Sequence, residues 1–232
     1  MVVTAQLLKK FSVLSGLSSL ALEELASHSE LVKVSRRAVV LNAGKREDQV
    51  SFLFDGRLQG VDFTIDGREV GLYFVEPGGF CGELCLFDSG PQPEYVLALT
   101  TSLVVNIPAQ ALKAVLASHP QVLVALTTKL AAHIRRMTSQ RSLLGLPNVA
   151  QRVCCQLYML IPEKEKEQNE ARISNPPTHL EIAIMLNASR ETVTRVFQSL
   201  LSKHIVRRDG TALLIINNVA ELRSFAEGKQ RL

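Results

Sequence analysis

The hydrophobic period of this chain changes at Pro120, and the stretches on either side of that point demand different architectures. From about residue 31 to 107, short β-branched and aromatic runs alternate with turn signals: VSFLF, Asp55-Gly56, VDFTI, Asp66-Gly67, VGLYFV and Pro77-Gly78-Gly79. Asp-Gly pairs accept the positive φ angles of tight hairpins. The stretch therefore predicts an antiparallel sheet domain, a barrel or jelly roll, bracketed by helices. After Pro120 the spacing becomes three and four. Leu123, Leu126, Leu130, His133, Met137, Gln140 and Leu144 fall along one seam of a long helix ending near Gly145-Leu146-Pro147. A seam of that length calls for a partner, either the chain's own sheet domain or a second copy. His133 and Gln140 interrupt it as register-fixing polar residues interrupt two-stranded dimers, which points to the second copy.

Composition adds limits. The chain has 232 residues, of which 47% are hydrophobic and 21% charged, enough to bury a sizeable core. Of its 26 Lys and Arg and 22 Asp and Glu, residues 1–140 hold 13 of each sign, and residues 141–232 hold 13 basic against 9 acidic. The net charge of +4 is thus entirely C-terminal, as a polyanion-binding second part would have it, or as a solvated surface would. No apolar run approaches the roughly 18 residues that span a bilayer. Lys9 and Lys10 before FSVLSGLSSLAL resemble the start of an export signal, but serines interrupt the run and Glu23 and Glu24 follow, so the expectation is a cytoplasmic protein with no membrane partner. The cysteines Cys81, Cys85, Cys154 and Cys155 form no CxxC pair, and reduced, structural thiols are expected. Residues 31–107 contain no histidine, which argues against a barrel-based metal enzyme; neither a catalytic nor a metal site is expected.

The segment NASRETVTRVFQSL, residues 187–200, places Val193, Val196, Phe197 and Leu200 on one side of a helix and Glu191, Thr194, Arg195 and Gln198 on the other, with Arg190 at its start. Before it, THLEIAIML reads as a shorter amphipathic helix, with Asn187 at the turn, Ser189 as a cap and Ala183 small enough for a close crossing. After it, HIVRRDGTALLII reads as a hairpin around Asp209-Gly210 that carries Arg207 and Arg208. Together these form a winged helix-turn-helix whose partner is double-stranded DNA. Its second helix enters the major groove, where arginine can bridge guanine O6 and N7 and glutamate can accept from cytosine N4. An ion pair between Glu191 and Arg195 is the plain alternative, and it leaves Ser189, Thr192 and the basic wing unexplained. Upstream, Ala150–Leu160 reads as a helix and PEKEKEQNEARISN as an exposed charged loop.

SRETVTR, preceded by EIAIMLNA, resembles the recognition element of the Crp/Fnr superfamily of bacterial transcription regulators. The resemblance extends through the GLSSLALEELA opening, GGFCGELCLFDSG in the sheet domain and the long helix. It implies an α+β fold: residues 1–118 a cyclic-nucleotide-binding-like β jelly roll with flanking helices, 119–146 a dimerisation helix, and 147–232 a winged helix-turn-helix. It also implies base reading by Arg190, Glu191 and Arg195 and phosphate contacts from Ser189 and Thr192. Thr178, Arg207 and Arg208 complete the DNA-binding set. The implied target is a TGTGA-like inverted repeat read by a homodimer, with RNA polymerase as a further partner through the loop at 162–175.

The effector region departs from the family pattern. Gly82, Glu83 and Leu84 match it, and Thr138 and Ser139 stand where members hold the base. The Arg-Ser pair that grips the cyclic phosphate is missing, and Glu94 lies near where that cation would be. A carboxylate there repels a phosphate. The expectation is a degenerate cyclic AMP pocket that takes another nucleotide effector or none. A haem or redox sensor of the same fold is the alternative, because Cys81, Cys85 and His133 could serve as axial ligands, although nothing in the sequence requires haem.

Overall fold

Alternation along two strands places the first core. In the computed structural model, which describes residues 2–210 and 212–232, β3 (Gln49–Asp55) and β8 (Ser102–Pro108) pair antiparallel. They lie at the centre of a four-stranded sheet completed by β1 (Glu30–Val34) and β6 (Phe80–Cys81). Val50 and Phe52 from β3 and Val105 and Ile107 from β8 bury one face against α1 (Ala5–Leu8), α2 (Ser19–Ser27), α3 (Ala109–Ser118) and the start of α4 (Pro120–Leu144). Leu8, Phe11, Leu14, Leu25, Leu112 and Leu126 are among the fully buried residues of that layer. The other face, with Leu53 and Val104, meets Leu41, Leu58, Val75, Val96 and Ala98 from a second sheet of order β2 (Val39–Leu41), β7 (Tyr95–Ala98), β4 (Leu58–Phe63), β5 (Glu69–Val75). Two antiparallel sheets packed face to face, with helices outside, are the jelly roll expected from the turn signals. Gly56, Gly67 and Gly78 all take the positive φ that those turns require.

The chain divides into two units, residues 1–137 and 138–232, and α4 runs through the division. The second unit holds α5 (Val149–Leu160), α6 (His179–Met185), α7 (Arg190–Ser202), α8 (Val219–Ala226) and a three-stranded sheet. That sheet has the order β10 (Val206–Asp209), β11 (Leu213–Ile216), β9 (Ala171–Ser174). Its core is continuous through Val153, Leu157, Ile182, Phe197, Leu200, Leu214 and Leu222.

Two expectations need correction. The charged segment at 162–175 is not a plain loop: it contains a 3-10 turn at Glu163–Glu165 and then β9, whose Ala171 and Ile173 alternate into the core. Only two apolar residues, Ala171 and Ile173, at the end of a charged run mark that strand, and it draws its stability from β11. The seam of α4 is also rotated. Leu126 is 1% exposed in the chain's own core, and buried Gln140 donates from Nε2 to the Met185 carbonyl at 2.9 Å, so neither faces outward. The exposed apolar face runs instead through Leu123, Ile134 and Met137.

Phe197 is the largest fully buried side chain of the second unit. Phe197→Ala is expected to destabilise that unit by about 3–5 kcal/mol, read as an earlier urea midpoint; an unchanged midpoint would show that this core is not what holds α7.

Candidate DNA-reading surface and effector region

Backbone capping builds the start of α7. Asn187 takes φ 46°, the left-handed turn foreseen for it, and Ser189 caps the helix by accepting from the Thr192 amide at 3.1 Å. The Ser189 and Thr192 hydroxyls also meet at 3.0 Å. Val193, Val196, Phe197 and Leu200 are buried, which leaves Arg190, Glu191 and Arg195 exposed around the helix N-terminus. Arg195 donates to the Thr192 hydroxyl at 3.2 Å rather than reaching across to Glu191. The Glu191 carboxyl is held below its usual value, first by a backbone hydrogen bond and then by the Ser189 hydroxyl, with Arg190 and Arg195 adding to it. It is therefore an ionised acceptor beside two guanidinium donors, a combination suited to base edges.

Thr178 caps α6 through a capping box with Glu181, its hydroxyl accepting from the Glu181 amide while Glu181 accepts from the Thr178 amide. The next residue was not singled out from sequence. His179 stacks on Phe197 with ring centroids 4.4 Å apart, meets the Thr194 hydroxyl through Nδ1 at 3.0 Å, and meets Arg208 Nη2 through Nε2 at 3.3 Å. A guanidinium can only donate, so the neutral ring accepts at Nε2 and carries its proton on Nδ1, which donates to Thr194. Burial, then Arg208 and Arg190, hold His179 below its ordinary pKa and favour this neutral form. One ring thus joins α6, α7 and the wing, and nothing in the spacing THLE announces it. The two wing arginines part company, as successive strand residues must. Arg208 joins the recognition surface. Arg207 turns to Asn217 Oδ1 at 2.9 Å and to Glu170 Oε2 at 3.2 Å, within its own sheet.

In the first unit, Gly82 takes φ 81°, and a Cβ there would meet the Gln49 carbonyl oxygen at 3.0 Å. It opens the 3-10 turn Glu83–Leu86, on which Glu83 is buried and Leu84 is partly exposed. Glu94 is also buried, and its Oε1 accepts from the Tyr73 hydroxyl and from Gln92 Nε2, the latter at 2.9 Å. Burial, aided by the Glu94 charge, pushes the Glu83 carboxyl up to about 6, and burial raises Glu94 as well. Tyr73 fits because Gly60 faces it; a Cβ on Gly60 would approach the ring within 2.5 Å. The interior therefore presents carboxylates and a phenol. Cys81 is buried beside them, its thiol raised by burial and by Glu83 and Glu94, which disfavours the thiolate that would ligate a haem iron. Cys85 points its thiol at the Gly82 carbonyl, and His133 packs edge-on against Tyr73, so the three candidate axial ligands do not converge on one another through any contact among the described residues. Thr138 and Ser139 lie exposed on α4 in the second unit. Among the described residues no group of three or more His, Cys, Asp and Glu could hold a metal, and no helix is long and apolar enough to cross a membrane.

Comparison with known proteins matches both halves. The family model for the cyclic nucleotide-binding domain covers residues 31–119, and that for the Crp-like helix-turn-helix domain covers residues 151–225. A CRP-like cAMP-activated global transcriptional regulator of Mycobacterium tuberculosis is 27% identical over 211 residues, covering 90% of this chain and 94% of the relative. Among solved structures, FixK2 from Bradyrhizobium japonicum has the same fold at a TM-score of 0.71 and 19% identity, covering 85% of this chain and 96% of its own. A CooA mutant from Carboxydothermus hydrogenoformans does so at 0.74 and 15%, covering 95% of each.

A folded state that raises the Glu83 pKa loses stability as pH climbs from about 4.5, the ordinary value, through about 6, because above that window the buried group must ionise. Glu83→Gln removes the penalty. The variant is expected to match the wild type near pH 4.5 and to exceed it by about 2 kcal/mol above pH 6; parallel stability curves across that range would contradict the burial of a strained carboxyl. With both domains matched in order along the chain, and with the sheets, the long helix and the winged unit in place, the protein belongs to the Crp/Fnr family of transcription regulators and carries a DNA-binding helix-turn-helix.

Proposed function

We propose that the protein is a homodimeric, sequence-specific regulator that reads a TGTGA-like inverted repeat and does so without cyclic AMP. The observation that carries the first part is the exposed start of α7, where Arg190, Glu191 and Arg195 stand around a capped helix N-terminus. Arg190 and Arg195 read guanine, Glu191 reads cytosine, and Ser189 and Thr192 take phosphates. Arg208 and Thr178 add contacts at the flanks. Arg207, tied to Glu170, contributes least.

The second part rests on the barrel interior. The Mycobacterium tuberculosis relative is described as cAMP-activated. In this chain Glu94 is buried with Tyr73 and Gln92 upon it, and its charge lies close enough to raise the Glu83 pKa, so a cyclic phosphate would meet anionic groups and an occupied volume. Uncompensated burial of an anion costs several kcal/mol. Thr138 and Ser139 serve as ordinary helix-surface residues, and neither haem nor a metal is needed. Cytoplasmic residence and contact with RNA polymerase follow from the same reading.

Dimerisation uses the exposed face of α4. Leu123, Leu130, Ile134 and Met137 recur at the seven, four and three spacing of a two-stranded seam, and two such helices set a pair of recognition helices about 34 Å apart on DNA. A double variant, Leu123→Glu with Met137→Glu, is expected to sediment as a monomer; a dimer that persists would place the interface elsewhere.

The operator test is fluorescence anisotropy at fixed salt with a labelled TGTGA inverted-repeat duplex and a scrambled one. Specific binding is expected without ligand and unchanged by cyclic AMP. Arg190→Ala is expected to erase about 1–3 kcal/mol of the preference over the scrambled duplex. Retained preference in that variant would overturn the reading of α7, and affinity that rises on adding cyclic AMP would overturn the reading of the barrel interior.

A further inference from the structure

Lys129, His133 and Arg136 follow one another at spacings of four and three on α4, so they form a row along one side of the helix, away from the face that carries Leu123 and Ile134. That row lines an open cavity of about 400 Å³ within the first unit, together with Lys10 of the N-terminal segment and the turn between β5 and β6. Three permanent cations thus border one cavity. The single carboxylate in its lining, Glu76, is paired with Arg57 Nε at 2.8 Å and does not neutralise them. Among the described residues Lys10, Lys129 and Arg136 form no ion pair, although the Lys10 ammonium rests over the Phe54 ring at 5.1 Å.

A second observation points the same way. His133 Nε2 is buried and has no hydrogen-bond partner, while its ring packs edge-on against Tyr73 at 4.4 Å. Burial, and then the charge of Arg136, hold this imidazole below its ordinary pKa and favour its neutral form. Left as it stands, a buried donor or acceptor without a partner costs free energy that a bound molecule would recover. The turn itself has little to give: the Gly78 and Gly79 amides already donate to the Leu53 and Glu76 carbonyls, each at 2.8 Å. Side chains must do the recognition.

We propose that this cavity binds a small organic dianion, a phosphomonoester or dicarboxylate with an apolar body. Lys10, Lys129 and Arg136 take the charged end, the Arg136 fork in bidentate fashion, and a shift of the His133 ring toward the cavity lets its Nε2 donate. An inorganic phosphate would fill only a fraction of the space. The remaining wall, Phe74, Val75 and Phe80, suits the apolar part, and the volume falls in the range of about 300–1,000 Å³ usual for small-molecule sites. The site is separate from the carboxylate-filled barrel interior, with Tyr73 between them: its hydroxyl holds Glu94 and its ring meets His133.

The test is isothermal titration calorimetry of the full chain with phenyl phosphate, in phosphate-free buffer at fixed ionic strength. Saturable binding is expected, with no saturable heat from phenol. The pair Lys129→Gln with Arg136→Gln is expected to weaken it about ten-fold or more. Lys10→Gln, on a separate segment, is expected to weaken it as well, which guards against a local misfolding of α4, and circular dichroism checks each variant. No saturable heat at millimolar probe, or affinity unchanged in both variants, would overturn the site. Inorganic phosphate binding as tightly as phenyl phosphate would overturn the role given to the apolar wall. Binding is read directly, so the outcome is independent of whether the operator reading holds.

Discussion

The amphipathicity of α7 is the constraint on which the rest of the second unit depends. Once Val193, Val196, Phe197 and Leu200 enter the core, the 3.6-residue period leaves Arg190, Glu191 and Arg195 no place but outside. Everything around the helix serves that orientation. α5 packs beneath it with α8 behind, Ala183 on α6 is small and buried beside it, and Asn187 turns the chain sharply enough for α6 and α7 to cross. His179 then spans α6, α7 and the wing through one aromatic face and two ring nitrogens. It holds Arg208 toward the surface that α7 presents, while the strand period sends Arg207 the other way.

The first unit shows the opposite use of polar groups. In a sandwich whose apolar interior is mostly Leu, Val and Ala, two carboxylates and a phenol share one region. Desolvation makes both carboxylates harder to ionise, and the Glu94 charge adds to this at Glu83, so the region is tuned against anions. Gly60 is what makes it possible, because any side chain on that strand position would displace the Tyr73 ring. On the far side of Tyr73 the sign reverses, with Lys129, Arg136 and Lys10 around open space. A single tyrosine therefore separates an acidic interior from a basic cavity, and the two regions favour different ligands.

Much of this was legible beforehand where local chemistry decides. The Asp-Gly turns, the Ser189 cap, the left-handed Asn187 and the apolar stripe of α7 each depend on residues within a few positions, and each forms as its neighbours dictate. Reading failed where partners are distant in sequence. β9 hides in a charged run because only its pairing with β11 makes it a strand. The seam of α4 was placed on Leu126 and Gln140, yet those two find partners in the chain's own cores, one in the layer under the first sheet and the other at the Met185 carbonyl. An apolar period says that a face is covered and does not say by what.

Sequence by itself determined the two-part order of sheet domain, long helix and winged unit, the turns between the strands, the exposed charges of α7, and the lack of a cation where a cyclic phosphate would need one. These depend on periodicity and on the intrinsic chemistry of short stretches, which no distant contact can undo. Only the tertiary structure decided that Tyr73 and Gln92 converge on Glu94, that His179 binds the wing to both helices, that Arg207 is spent on Glu170, and that Lys10 faces the row on α4. Each of those meetings joins residues between 2 and about 120 positions apart, and their geometry is set by how sheets and helices stack to exclude water, which the linear pattern does not encode.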